Sequence, residues 1–318
     1  MREQIITADL HTHLLEKKTK PAKYWEFAQK ACLNAIAITE HSEYNPKKAY
    51  LDVLAKKPED LLLIPGMEMS TSHGHIVALG ESEEIYDFPE LQQKGVKLEK
   101  AYKIANENDI LLSFAHPWGF DYDSVVYLQG LSQLRHYAIH GNMGAEAYNG
   151  MIGELAESLV KSNWVRKPMG FFAYLEKNKL LKTAGISRIM APLNKKLNKQ
   201  ALDIVQRNLN AMSFGEEAKF ITAGSDAHSA DRIGCGIIKV KVIAEKIDNR
   251  AFLHALRDKS NVLWAGPPAF EIGDGVFAKR KQGVKRMEVL AGLKYAAKKV
   301  ILRRRPKRIE QKSTKDKV

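Results

Sequence analysis

Eight short apolar runs limit what this chain can fold into. They fall at Ile5–Leu10, Ala35–Thr39, Leu61–Pro65, His75–Leu79, Ile110–Ala115, Ala145–Tyr148, Phe220–Ala223 and Gly236–Val242. Most are apolar at consecutive positions, the pattern of a strand buried on both faces. Between them, Ala22–Leu33, Pro46–Lys56, Lys97–Asn108 and Lys199–Met212 carry apolar residues at helical spacing, and Asn249–Asp258 reads as one more helix. Strands alternating with helices predict an α/β barrel or a doubly wound sheet. The chain has 318 residues, 45% hydrophobic and 27% charged, which excludes a disordered or collagen-like polymer. It is long enough for a barrel of about 250 residues.

The ends of these runs carry the chemistry. Asp9-Leu10-His11-Thr12-His13 ends the first, Thr39-Glu40-His41 the second, and Pro65-Gly66-Met67-Glu68 follows the third. His73-Gly74-His75 opens the fourth, Ala115-His116-Pro117 ends the fifth, and Gly224-Ser225-Asp226-Ala227-His228 ends a later one. Seven of the ten histidines sit in these places; His136, His140 and His254 do not. In an extended segment residues two apart point the same way, so His11 and His13 can face one cation. Packing alone does not produce such a repeat, because each polar group near a core must be satisfied. An α/β barrel places its catalytic side chains at strand ends.

In this order the motifs resemble the PHP (polymerase and histidinol phosphatase) superfamily of metal-dependent phosphoesterases. The likeness runs through residues 5–238 as scattered motifs, and Ala145–Gly150 resembles the strand that precedes the last of them. The resemblance implies a distorted (β/α)7 TIM-like barrel, with two or three divalent ions (Mn, Zn or Fe) at the C-terminal ends of its strands. It puts His11, His13, Glu68 and Asp226 on one ion and makes Glu68 a bridge to a second, held also by His116 and His228. His41 and His75 complete the cluster, with His73 as a substitute for His75. Glu68 and Asp226 are the expected catalytic carboxylates, hydrolysis is expected from a metal-bound hydroxide, and Arg232 is expected to clamp a phosphate oxygen.

One departure stands out. The family's usual Asp or His, five or six residues after the second histidine, is replaced here by Lys18 and Thr19. We therefore expect a complete two-metal centre and a weakened third site, in which Glu16, or an ammonium from Lys17 or Lys18, takes the missing place.

Charge divides the chain further. The formal net charge is +13, and residues 276–318 alone hold 16 Lys and Arg against three acids, which leaves residues 1–275 neutral. We expect a barrel domain over 1–275 interrupted by a helical insertion at 151–198, then a basic amphipathic helix and tail at 276–318. The insertion carries nine basic and three acidic residues, which favours a nucleotide or RNA end as the phosphorylated substrate. The tail reads as a solvated extension, a nucleic-acid contact or an anionic membrane-surface contact. The competing functional readings are a catalytically impaired barrel acting as a nucleic-acid-binding or accessory protein, and an amidohydrolase-like enzyme. Two cysteines, Cys32 and Cys235, are too few for a disulfide framework, and neither a signal peptide nor a membrane span is legible, so a cytoplasmic location is expected.

Overall fold

All eight apolar runs are strands, and most are covered on both sides; in the first and last, alternate positions such as Ile5, Lys239 and Lys241 face solvent in whole or part. On β2 (Ala35–Ile38), Ala35 and Ala37 join one apolar cluster with Ile6, Ile64, Val77 and Leu79, while Ile36 and Ile38 join another with Leu63, Met67, Ile76 and Phe114. Each large aliphatic side chain so buried contributes roughly 1.5–3 kcal/mol. That two-sided burial is why the sequence reads as unbroken apolar runs.

This computed structural model describes residues 1–16, 18–161 and 202–268. The chain divides into two units, and the first, Met1–Glu157 with Ala201–Lys281, holds the sheet. The remaining strands are β1 (Arg2–Asp9), β3 (Leu62–Thr71), β4 (Gly74–Leu79), β5 (Leu111–Phe114), β6 (Met143–Asn149), β7 (Ile221–Gly224), β8 (Ile237–Ala244) and β9 (Val262–Gly266). The helices are α1 (Pro21–Lys30), α2 (Pro46–Leu54), α3 (Leu98–Glu107), α4 (Val125–Leu128), α5 (Leu131–Arg135), α6 (Gly150–Lys161), α7 over 202–215 and α8 (Asn249–Leu256). Most of the expected helical insertion at 151–198 lies outside the described residues, as does the tail at 276–318.

The nine strands form one sheet in the order β7-β6-β5-β4-β3-β2-β1-β8-β9. It nearly closes on itself. Beyond β1 the chain runs on beside the end of β7: Leu10 N–H donates to Ala223 O (3.2 Å), Asp226 N–H to His11 O (2.7 Å) and His13 N–H to Ala227 O (2.9 Å). Gly224 permits this approach, since a Cβ there would lie 2.3 Å from the His11 Cβ.

The topology differs from a regular (β/α)7 repeat. β1-β2, β2-β3, β5-β6 and β6-β7 are parallel, but β4 runs antiparallel to both β3 and β5. A hairpin at Ser72-His73 replaces one helical crossover, with Gly74 at φ 109°. β8 pairs antiparallel with β1 along Arg2–Ala8, and β9 pairs antiparallel with β8. The strand β9 has no counterpart in the sequence reading. α1 begins with Pro21 and buries Tyr24, Trp25 and Ala28. The Tyr24 hydroxyl lies 2.6 Å from Thr12 Oγ1, which fixes the helix beneath the His11–His13 segment. Among the described residues no helix is long and apolar enough to cross a membrane. Cys32 and Cys235 are both free thiols.

Candidate metal centre

The strand ends deliver their polar residues to one place, with Glu68 in the middle. Glu68 lies two residues beyond Gly66 and four beyond Ile64 on β3, so it continues the face that Ile64 turns to the core. It is 1% exposed. Its Oε1 is 2.8 Å from His75 Nδ1 and 3.1 Å from His116 Nε2. Its Oε2 is 3.0 Å from His41 Nδ1 and 3.4 Å from both His11 Nε2 and His13 Nε2. Asp226 Oδ1 faces His13 Nε2 (3.3 Å), His228 Nδ1 (3.4 Å) and His11 Nε2 (3.7 Å). All eight residues expected as ligands are thus brought together.

Their candidate ligand atoms fall into overlapping sets: His11, His13 and Asp226; His41, Glu68 and His75; His75, His116 and Asp123; and His13, His41 and His228. This grouping differs from the expected one in two respects, since Asp123, not expected as a ligand, stands with His75 and His116, and His228 is parted from His116. His116 shares Glu68 Oε1 with His75, whereas His228 stands beside His13 and His41, ring centroids 4.3 and 5.9 Å away. Glu16 joins that last set, its Oε2 lying 2.8 Å from His228 Nε2 and 3.9 Å from His41 Nε2. Of the stand-ins expected for the missing family ligand, the carboxylate is the one at the cluster; Lys18 is exposed and Lys17 is outside the described residues. His73 lies in the hairpin turn, 3.0 Å from Ser72 Oγ, and takes no part.

The architecture around this cluster is similar to that of PsfC. PsfC from Pseudomonas syringae PB-5123 is 14% identical, with a TM-score of 0.50 over 94% of this chain and 99% of its own. The likeness is one of fold. The lesion-specific endonuclease PfuEndoQ from Pyrococcus furiosus also aligns, at 15% identity and a TM-score of 0.45, over 80% of this chain and 56% of its own. No family model and no curated protein matches the chain.

A second layer of carboxylates surrounds the ligands, and the sequence reading assigned it no role. Glu146 on β6 contacts His11 Nδ1 at 3.1 Å. Glu40 faces His13 Nδ1 at 3.5 Å while accepting the Leu14 and Leu15 N–H groups, which shapes the loop that carries Glu16. Asp123 Oδ1 is 3.7 Å and Ser124 Oγ 3.2 Å from His116 Nδ1. Asp9 is fully buried and accepts the Ser225 and Gly234 N–H groups, joining the ends of β1 and β7; burial raises its pKa to about 6. The signal for Glu40 was present, since it sits between Thr39 and His41. Glu146 and Asp123 are separated from their histidine partners by packing alone.

The electrostatics follow from crowding. Burial opposes charge on His11, but Asp226, Glu68 and Glu146 outweigh it and hold its pKa well above the ordinary imidazole range. The same contest pushes His116 up to about 10, through Asp123 and Glu68, and His228 up to about 9, through Glu16 and Asp226. Burial alone would raise Glu68, yet His75, His11 and His41 hold it well below the usual carboxylate range; Asp226 is lowered likewise by His11, His13 and His228. The carboxylates therefore require positive charge close by, as protons on imidazoles or as another cation.

The donor set fits a divalent metal. His11 Nε2, His13 Nε2 and Glu68 Oε2 are buried and make no hydrogen bond, although they converge on one another. Such atoms cost roughly 1–3 kcal/mol each when left unsatisfied. Mixed imidazole and carboxylate donors suit Zn, Mn or Fe. Arg232, expected at the phosphate, places Nη1 2.5 Å from Glu154 Oε2 on α6.

Proposed function

We propose that this chain is a metal-dependent phosphoesterase of the PHP type, its barrel a distorted (β/α)7 in which the β3-β4 hairpin replaces one crossover. The observation that carries the reading is Glu68. A single buried carboxylate turns one oxygen to His75 and His116 and the other to His11, His13 and His41, the arrangement of a ligand shared between two cations. His11, His13, Asp226 and Glu68 would hold one ion, Glu68, His75 and His116 a second, and His41, His228 and Glu16 a third. Bound divalent ions lower the pKa of water and neutralise charge developing on a phosphoryl group.

The protein's own groups do the rest. Asp226 stays ionised under His11, His13 and His228, so its Oδ1 would hold a cation rather than take up a proton. His41, His75, His228 and Glu16 are partly exposed, at 17, 21, 23 and 22%, while His11, His13, Glu68 and Asp226 are at most 2% exposed. The substrate phosphate therefore enters over the first four, and the buried four keep a fixed, dry floor. The segment at 151–198, with nine basic residues against three acidic, follows Asn149-Gly150 in sequence and supports a nucleotide or RNA end over a single small phosphate. Arg232 remains the proposed phosphate clamp, its guanidinium shared with Glu154.

The test is release of inorganic phosphate from a panel of nucleotides, short RNAs and p-nitrophenyl phosphate, with Mn²⁺, Zn²⁺ or chelator. We expect metal-dependent turnover that His11→Ala and Asp226→Ala reduce to background while circular dichroism stays unchanged. Full turnover in either variant refutes the reading.

A further inference from the structure

β6 supplies no ligand to the cluster, yet its last residues touch three ligands on three other strand ends. Glu146 is 2% exposed. Its Oε1 meets His11 Nδ1 at 3.1 Å, and its Oε2 accepts the main-chain N–H of His116 at 2.6 Å and a side-chain N–H of Asn149 at 3.0 Å. The Asn149 amide also donates to Asp226 Oδ2 at 3.2 Å. Its orientation is settled from the other side, because Asn149 Oδ1 accepts the Ile152 N–H at the start of α6. Asn208 then grips the Asn149 main chain, accepting its N–H at 3.2 Å and donating to its carbonyl at 2.9 Å.

Two further facts give this network a purpose. His116 and Asp226 have positive backbone φ, 29° and 52°, a region that costs energy for a residue with a side chain, although His and Asp enter it more readily than most. Those are the two ligand residues that Glu146 and Asn149 hold. Moreover, an ionised carboxylate can only accept hydrogen bonds. Glu146 can thus hold a proton on His11 Nδ1, so the neutral tautomer left once a cation displaces the other proton has its free lone pair on Nε2, the atom 3.4 and 3.7 Å from Glu68 and Asp226.

We infer that Glu146 and Asn149 are positioning residues that set the His11 tautomer and the strained poses of His116 and Asp226, joining two ion sites through one buried carboxylate. This rests on the metal-centre reading above. Gln at position 146 has nearly the same shape but only one acceptor oxygen. If that oxygen keeps the His116 and Asn149 N–H groups, the amide NH₂ faces His11 Nδ1 and drives the proton to Nε2, which removes a ligand. If the amide flips, its NH₂ opposes the His116 N–H at a distance where only an acceptor fits.

The experiment compares full-length wild type, Glu146→Gln and Asn149→Ala by zinc titration against a competing chelator, with ¹⁵N spectra of the imidazoles of the zinc-loaded proteins. We expect Glu146→Gln to weaken the tightest zinc equivalent about 10- to 100-fold and to abolish the Nδ1–H signal that His11→Ala also removes. Asn149→Ala should weaken zinc about tenfold and keep that signal. A purely structural role predicts a lower melting temperature with unchanged zinc affinity and an unchanged His11 signal, and that outcome overturns the inference. If Glu146→Gln does not fold, wild-type affinity in Asn149→Ala overturns it equally. Wild type that binds no zinc overturns the metal centre itself, a result distinct from failure of the variants alone.

Discussion

Loading the cluster with metal should expel protons, and the structure says how many and from where. A metal ligand imidazole must be neutral, but His116 is held at a pKa of about 10, His228 at about 9, and His11 well above the ordinary range. At pH 7 removal of the His116 proton alone costs about 4 kcal/mol, and of the His228 proton about 3 kcal/mol, at 1.36 kcal/mol per pH unit. The sign follows directly. A raised imidazole pKa stabilises the metal-free fold fully below about pH 6.5, and this contribution is lost as pH rises through about 9 to 10. Metal binding, which needs the neutral form, therefore strengthens as pH rises from 6 to 8, by about tenfold per pH unit for each proton displaced. Isothermal titration of the metal-free protein with Zn²⁺ at pH 7, in buffers of different ionisation enthalpy, counts those protons. We expect at least three for the filled cluster, from His11, His116 and His228, with a further contribution from His41, which Glu68 and Asp226 also raise. Proton release near zero, or an affinity flat between pH 6 and 8, would show that the imidazoles are neutral before metal arrives and would refute the reasoning.

Other outcomes are expected on the same grounds. Glu16→Gln should remove one weakly held equivalent in metal analysis and spare the two inner ones; loss of all three would mean that Glu16 supports the whole cluster. Gly224→Ala drives a Cβ into His11, so the fold should lose about 3 kcal/mol of stability and melting should fall by roughly 5–10 °C, read by calorimetry. Arg232→Ala should raise KM for a phosphate ester about tenfold with metal content unchanged, since hydrogen bonds to charged groups contribute roughly 1.5–3 kcal/mol. An unchanged KM confines Arg232 to its pair with Glu154.

Particular residues show how far the sequence could be read. Ala35-Ile36-Ala37-Ile38 is apolar throughout because successive side chains enter different clusters, so burial on both faces was written into four letters. His11 and His13, His41, Glu68, His116, and Asp226 with His228 were legible because a polar group at the end of such a run has no other use there. The hairpin between β3 and β4 was signalled by Gly74 but masked by the expectation of a crossover. Strand β9 was masked by the turn residues Gly266-Pro267-Pro268 that follow it.

The sequence by itself determined eight of the nine described strands, the end of the sheet where the polar groups gather, and the eight ligand candidates that meet there, since each depends on neighbours a few residues apart. Only the tertiary structure decided which ligands share an oxygen of Glu68, that His228 turns to Glu16 and His41 instead of His116, and that Glu146 grips both His11 and His116. Those relations span up to about 200 residues and are set where β7 closes against β1.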